Sequence, residues 1–238
     1  MSDSGSSGDF EFEALRHAVH YRAAIAGEFR GALRGRVLEV GAGIGQMTET
    51  FLAEPAIREV VAVEPDPRFV ERFREKLPEQ RIVAGSTADL AADEVFDAAV
   101  MINVLEHIEA DVEELARIAS HLRPGSGHVC ILVPARPELY APIDRAFGHF
   151  RRYTRRTLGD ALRQAGYAVE RMHYLNAVGY LAWGVRFRLL GATTFKPHEV
   201  AFFDTWIFPP TNWFERTVCR PFIGQSLVAI GRRVAGGS

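Results

Sequence analysis

The sequence predicts an α/β fold: a mostly parallel sheet of seven strands with helices on both faces. Three observations carry this. Residues 35–52 read as a short apolar strand, a turn built on Gly41, Gly43 and Gly45, and a helix start, the opening unit of a ligand site in an open α/β sheet. Apolar, β-branched runs recur at 59–63, 81–84, 95–101, 128–133, 169–174 and 226–231, with helix-patterned stretches between most of them. The 238 residues, 47% hydrophobic and 24% charged, suffice for one large core.

Residues 1–10 are rich in Ser, Gly and Asp and are expected to be disordered. Residues 11–34 follow as a helix, with Leu15, Val19, Ala23, Ile25, Phe29 and Leu33 leaning to one side and His17, His20 and Tyr21 along it. In the turn at 41–45, glycine permits a tight bend and close approach of backbone to a ligand. The N–H groups of the helix start at Gln46 face whatever lies there. A dinucleotide fingerprint is excluded, because the third glycine falls one residue early, at Gly45, and Gln46 holds the small position. A phosphate-binding P-loop is excluded by the lack of a lysine. The second strand ends in Glu64, Pro65 and Asp66, and a carboxylate there can accept from both hydroxyls of a ribose.

The run Glu39-Val-Gly-Ala-Gly-Ile-Gly45, followed by Glu64 and by two further strands with polar ends, resembles motif I and its sequel in the class I S-adenosylmethionine (SAM) dependent methyltransferases. The resemblance is close over residues 35–133 and looser beyond. It implies a three-layer Rossmann-like fold with an antiparallel last strand. It implies SAM as cofactor, S-adenosylhomocysteine as product, and Glu39, Gly41, Gly43, Gly45, Glu64, Asp89 and Asn103 as cofactor-binding residues. Asp89 would meet the adenine amino group; its other reading is a turn cap. The helix at 11–34 would lie over the cofactor or, equally, cover the sheet edge. The core then spans 35–175, with a last strand and tail at 226–238.

Methyl transfer from SAM is an in-line displacement, so the protein positions the nucleophile and removes its proton. The connection 134–153 is long for a strand-to-helix link and reads as a lid. It carries His149, a base near neutral pH, with Tyr153 beside it; His107, after the fourth strand, is a second candidate. Arg151, Arg152 and Asp144 are the candidate substrate contacts, the arginines holding an anionic group. The other reading of the arginines is a solvated face continuous with Arg155 and Arg156. Asn103-x-x-Glu106-His107 with His149 follows the metal-ligand spacing of ubiquinone-pathway and small-RNA 2′-O-methyltransferases. Asn103 replaces an acidic ligand, which weakens a Mg²⁺ or Mn²⁺ site, and no metal residue is assigned. No Asn-Pro-Pro-Tyr motif follows the fourth strand, which disfavours methylation of a base amino group.

Residues 176–225 replace a short hairpin link with an aromatic-rich insertion. Besides ordinary packing it has three readings: a cap over an apolar substrate, a dimer surface, or a patch touching membrane lipid. A net charge of −2 argues against a nucleic-acid surface. Cys130 and Cys219 show no paired spacing, and Cys130 reads as core. No signal peptide and no bilayer-spanning run are visible, so a cytoplasmic enzyme is expected, monomer or homodimer. The expected reaction is methylation of a hydroxyl or carboxylate on a small molecule. The alternatives are a peptide or lipid-linked acceptor, or a non-catalytic SAM-binding partner subunit.

Overall fold

The computed structural model describes residues 18–192 and 197–235; the expectations for 1–10, Leu15 and His17 lie outside them. Seven strands form one sheet: β1 (Gly35–Val40), β2 (Ile57–Glu64), β3 (Ile82–Ala84), β4 (Ala98–Ile102), β5 (His128–Pro134), β6 (Tyr167–Leu175) and β7 (Ser226–Arg233). Their order is β3-β2-β1-β4-β5-β7-β6. The first five run parallel, and β7 is antiparallel to both β5 and β6.

The pleat divides the strand residues between two cores. Leu38, Ala99 and Ile131 face one side, packed with Leu115 and Ile118 of helix α4 (Asp111–Ser120) and Leu158 and Leu162 of α6 (Arg155–Gln164). Val37, Ala98 and Cys130 face the other, with Ile25 and Phe29 of the N-terminal α1 region (helix Val19–Glu28) and Phe51 of α2 (Gln46–Leu52). Burial on both faces is why these strands read as continuous apolar runs. Helix α3 (Pro67–Lys76) is capped by the Asp66 carboxylate, which accepts from the Arg68 N–H.

Two sequence expectations need correction. The fourth strand begins at Ala98, because the Asp97 carboxylate turns back to accept from the Arg36 N–H at 2.8 Å. The sequence after the fourth strand reads as a helix opening at 102–108 and running to about Leu122, with Val112, Leu115, Ala116, Ala119 and Leu122 along one face, but that helix is broken. Asn103 adopts a left-handed φ of 53°, a 3₁₀ turn follows at Leu105–His107, and α4 starts only at Asp111.

The connection 134–153 is ordered by a 3₁₀ turn (Pro137–Leu139) and the short helix α5 (Pro142–Ala146). It packs on the aromatic insertion: Leu139, Ala141 and Ile143 form one cluster with Trp183 and Phe187. The insertion comprises α7 (Ala177–Trp183) with a π-helical continuation (Gly184–Leu189), then α8 (Pro197–Phe202), a second π segment (Phe203–Ile207) and α9 (Phe208–Thr217).

Two buried carboxylates, Asp204 and Glu28, fasten the insertion to the core, and a third, Glu215, ties its far end back to its own start. Asp204 accepts from the N–H groups of His20 and Tyr21 at 2.9 and 2.8 Å, in the first turn of α1. Glu215 accepts from Asn176 and Ala177 at 2.9 and 2.7 Å, at the start of α7. Helix starts carry unpaired N–H groups and a positive dipole end, so both acids are well placed. Glu28, at the far end of α1, meets His173 at 3.0 Å and Arg220 at 3.3 Å. Burial alone would raise the Glu28 pKa, but His173 and Arg220 outweigh it and hold the carboxyl at about 2.

Candidate active site

In this sheet the strand order reverses between β1 and β4, and ligands of open α/β sheets bind outside the carboxyl ends at that point. A cavity of about 650 Å³ lies there, bordered by Glu39, Gly41, Glu64, Ser86, Thr87 and Asn103. Glu64 is held by backbone from two sides: Gly43 N–H donates at 2.8 Å and Asp66 N–H at 3.0 Å. Burial raises its pKa and these donors partly offset the rise, leaving further lone pairs for a ribose. Burial also pushes the Glu39 carboxyl up to about 8, although Thr48 Oγ1 donates to it at 2.6 Å.

The three turn glycines do different work. A Cβ on Gly41 (φ 71°) would collide with the Val104 side chain, so the turn backbone abuts the segment after β4. Gly43 supplies the N–H to Glu64. Gly45 (φ 79°) starts α2 and packs against Leu77 and Phe73, away from the cavity. Asp89 is exposed and caps its own 3₁₀ turn, accepting from Ser86 N–H at 2.8 Å and Ser86 Oγ at 3.0 Å. The cavity wall there is Ser86 and Thr87 instead. Thr87 is fixed by a 2.6 Å bond to the buried Glu114, a pairing 27 residues apart that no local sequence signal marks.

A second cavity of about 340 Å³ adjoins the first; Tyr21, Asn103 and Phe147 border both. Its polar wall includes Glu106, His149, Arg152 and Ser226, and its apolar wall Trp183, Phe187 and Phe203. The geometry around His149 is fixed by Asp144, which is fully buried. Asp144 accepts from Ala141 N–H at 2.9 Å, from His149 Nδ1 at 3.0 Å and from Arg152 Nε at 2.8 Å. Burial raises the Asp144 pKa, but His149 and Arg152 bring it below the usual carboxylate range. An Nδ1–H donated to Asp144 leaves the lone pair of His149 on Nε2, a buried atom with no hydrogen-bond partner among the described residues. Asp144 itself has no exposed surface and does not border the cavity; it holds His149 and Arg152, which do. The Arg152 guanidinium lies over the Trp183 ring at 4.5 Å and bonds the Ala135 carbonyl at 3.2 Å.

Two expected site residues point elsewhere. Tyr153 is buried in the core, its hydroxyl donating to Asp111 at 2.7 Å, and burial followed by that bond raises its pKa. Arg151 also meets Asp111, at 3.0 Å, and donates to the Glu109 carbonyl at 2.7 Å. The physical reason is that residues 151–153 lie extended beside the end of β5, where Ala135 pairs with Tyr153. Successive side chains then point to opposite sides, so Arg152 in the cavity requires Arg151 and Tyr153 to leave it.

His107 borders the cofactor cavity, its ring in edge contact with His149 at 4.7 Å between centroids. Burial first, and the neighbouring His149 second, lower its pKa to about 4, so it is neutral at pH 7. One ligand atom from each of Glu106, His107 and His149 lies within 4.8 Å of the others, a donor set of the kind that holds a divalent ion. The sequence spacing pointed to these three together. The sequence places Tyr21 only on a helix over the cofactor or the sheet edge, with no role; its hydroxyl bonds Ser226 Oγ at 3.0 Å between the cavities.

Residues 9–171 match the family model described as "Methyltransferase domain". The chain belongs to this methyltransferase family. Its cofactor is SAM, and the glycine turn with Glu64 fits that group. An uncharacterized methyltransferase of Mycobacterium tuberculosis is 33% identical over 90 residues, 38% of this chain and 36% of that protein. The matched stretch thus spans about a third of the curated relatives' length. Among solved structures, a putative Haloferax volcanii methyltransferase in complex with the Trm112 activator has a TM-score of 0.64 at 16% identity, covering 95% of this chain and 94% of that one. A Haemonchus contortus phosphoethanolamine N-methyltransferase with bound S-adenosylhomocysteine has a TM-score of 0.62 at 12% identity, covering 94% and 56%. At these identities the likeness is one of fold.

Proposed function

We propose that the protein transfers the SAM methyl group to a hydroxyl or carboxylate of a small molecule held in the 340 Å³ cavity. The observation that carries this reading is His149, which borders that cavity with Nε2 unpartnered and Nδ1 held by Asp144. A base so oriented can take a hydroxyl proton as the oxygen attacks the methyl carbon. SAM in the larger cavity would meet the acceptor where Tyr21, Asn103 and Phe147 border both spaces. Arg152 supplies positive charge for an anionic group on the acceptor, and Trp183, Phe187 and Phe203 favour an apolar body beside it. A carboxylate acceptor would need no base, and His149 would then only shape the pocket.

The cluster of Glu106, His107 and His149 favours a second reading, in which a divalent ion held by them polarises the acceptor oxygen. Asn103 in place of an acidic ligand weighs against it.

The test is single-turnover methyl transfer with candidate acceptors. His149→Ala is expected to keep SAM affinity within a few-fold and to lower turnover by roughly 10²–10⁴, the range for loss of a general base. Full turnover in that variant removes the base from His149. Loss of SAM binding assigns the residue to the cofactor site.

A further inference from the structure

The insertion is apolar on both faces of its helices. Along α7 and its π continuation, Trp183 and Phe187 are buried towards the acceptor cavity. On the opposite side Leu181, Val185 and Leu189 form an exposed stripe at intervals of four, and Leu189 is 77% exposed. The next helices repeat the arrangement. Phe208 is buried and the part-buried Phe203 borders the acceptor cavity, while Phe202, Trp206 (70% exposed), Trp213 and Phe214 face solvent. Phe222, in the link to β7, is 84% exposed. A helix on a water-facing surface carries polar residues outward, so a double-sided apolar pattern marks a surface that is covered in use.

Charge decides what covers it. The insertion's acids are turned inward or matched: Asp204 and Glu215 are buried on helix starts, and Glu199 pairs with Arg186. Among the described residues of the insertion the exposed arginines are Arg188, on the outer face, and Arg216 and Arg220, whose side chains are part-exposed but reach inward to the core. Arg216 and Arg220 share one buried partner, Glu28. A two-fold dimer through this face would bring the arginines of both copies into one interface, while the insertion's acids are already engaged within each chain. An anionic lipid surface instead accepts exposed Trp, Phe and Leu side chains at the headgroup boundary and attracts the arginines.

We propose that the outer face of residues 177–222 docks on an anionic phospholipid surface. The helices that would lie on the lipid are the same ones whose inner faces wall the acceptor cavity, so docking sets that cavity directly above the bilayer. No described helix is long and apolar enough to cross a membrane, which fits surface docking.

Co-sedimentation of the full chain with vesicles tests this without cofactor or acceptor, so its failure leaves the methyltransferase reading untouched. The expected result is binding to mixed phosphatidylcholine–phosphatidylglycerol vesicles, weaker with phosphatidylcholine alone and weakened by salt. The triple variant Leu189→Ser/Trp206→Ser/Trp213→Ser lowers the partition roughly tenfold or more. All three residues lie outside both cavities, so unchanged S-adenosylhomocysteine affinity verifies that the variant is folded. Arg188→Glu, a single exposed change, weakens binding to the anionic vesicles only. The proposal is overturned if the wild-type chain stays in the supernatant with anionic vesicles, or if the triple variant pellets equally well. It is also overturned if light scattering shows a vesicle-free dimer that the triple variant splits, since the face would then be a self-association surface.

Discussion

At the scale of single residues, neighbours in sequence divide sharply in role. Arg151 and Arg152 are indistinguishable as letters, and both were reasonable anion contacts. The extended backbone separates them, sending Arg151 to Asp111 and Arg152 to Asp144 and the cavity. Arg151→Ala is therefore expected to leave the acceptor KM nearly unchanged. Arg152→Ala should raise it and also cost about 3–5 kcal/mol in stability, because Asp144 is left buried with less compensation. Steady-state kinetics beside denaturant titration checks both. His149 was legible because a histidine in a long loop after a parallel strand is conspicuous. Its orienting partner Asp144 was visible only as a nearby acid, and the inward turn of Tyr153 was not visible at all. Glu39 offers a pH test. Its folded pKa of about 8 lies above the ordinary carboxylate value, so between those limits the folded state binds the extra proton and stability falls as pH rises. Unfolding of the cofactor-free protein should show Glu39→Gln gaining on wild type between pH 5 and pH 8; a constant difference would mean that Glu39 ionises normally.

At the scale of elements, the strands were legible because burial on both faces leaves unbroken apolar runs, and the glycine turn fixed where β1 ends. The break after β4 was not, since it depends on Asn103 taking a left-handed conformation and on Tyr153 holding Asp111, a contact 42 residues away. The insertion was legible as aromatic, but its anchors were not: Asp204, Glu215 and Glu28 act on backbone or side chains between 38 and 192 residues distant. Glu28 carries the clearest prediction. Its folded pKa of about 2 is below the unfolded value, so its contribution is present above the ordinary carboxylate pKa and is lost as pH falls towards 2. Glu28→Gln should cost roughly 1–3 kcal/mol at pH 7 and open the segment around 216–222 to protease. The cost relative to wild type should shrink at pH 3. A penalty that stays constant with pH would show that packing, not charge, makes the contact.

At the scale of the whole molecule, two cavities meet across one narrow wall, and the wall decides the chemistry. Strands β1 to β3 hold the larger cavity from the sheet's carboxyl edge, while the 134–153 connection and the insertion close the smaller one. The ligand atoms of Glu106, His107 and His149 gather between them, and the question is whether they serve protons or a metal. The low pKa of His107 leaves it neutral and able to ligate, and the carboxylate behind His149 is the usual support of a metal-bound imidazole. Against this, the set provides one carboxylate, and hard divalent ions such as Mg²⁺ and Mn²⁺ prefer several oxygen ligands. Asn103, the position where a second acid would complete the set, borders both cavities through a neutral amide. The expected outcome is that methyl transfer survives exhaustive chelation within about twofold, and that Asn103→Glu creates a dependence on Mn²⁺ by supplying the missing charge. Activity lost on chelation and restored by Mg²⁺ or Mn²⁺ in the wild-type chain would reverse the assignment. His149 would then be a ligand whose replacement abolishes metal affinity as well as turnover.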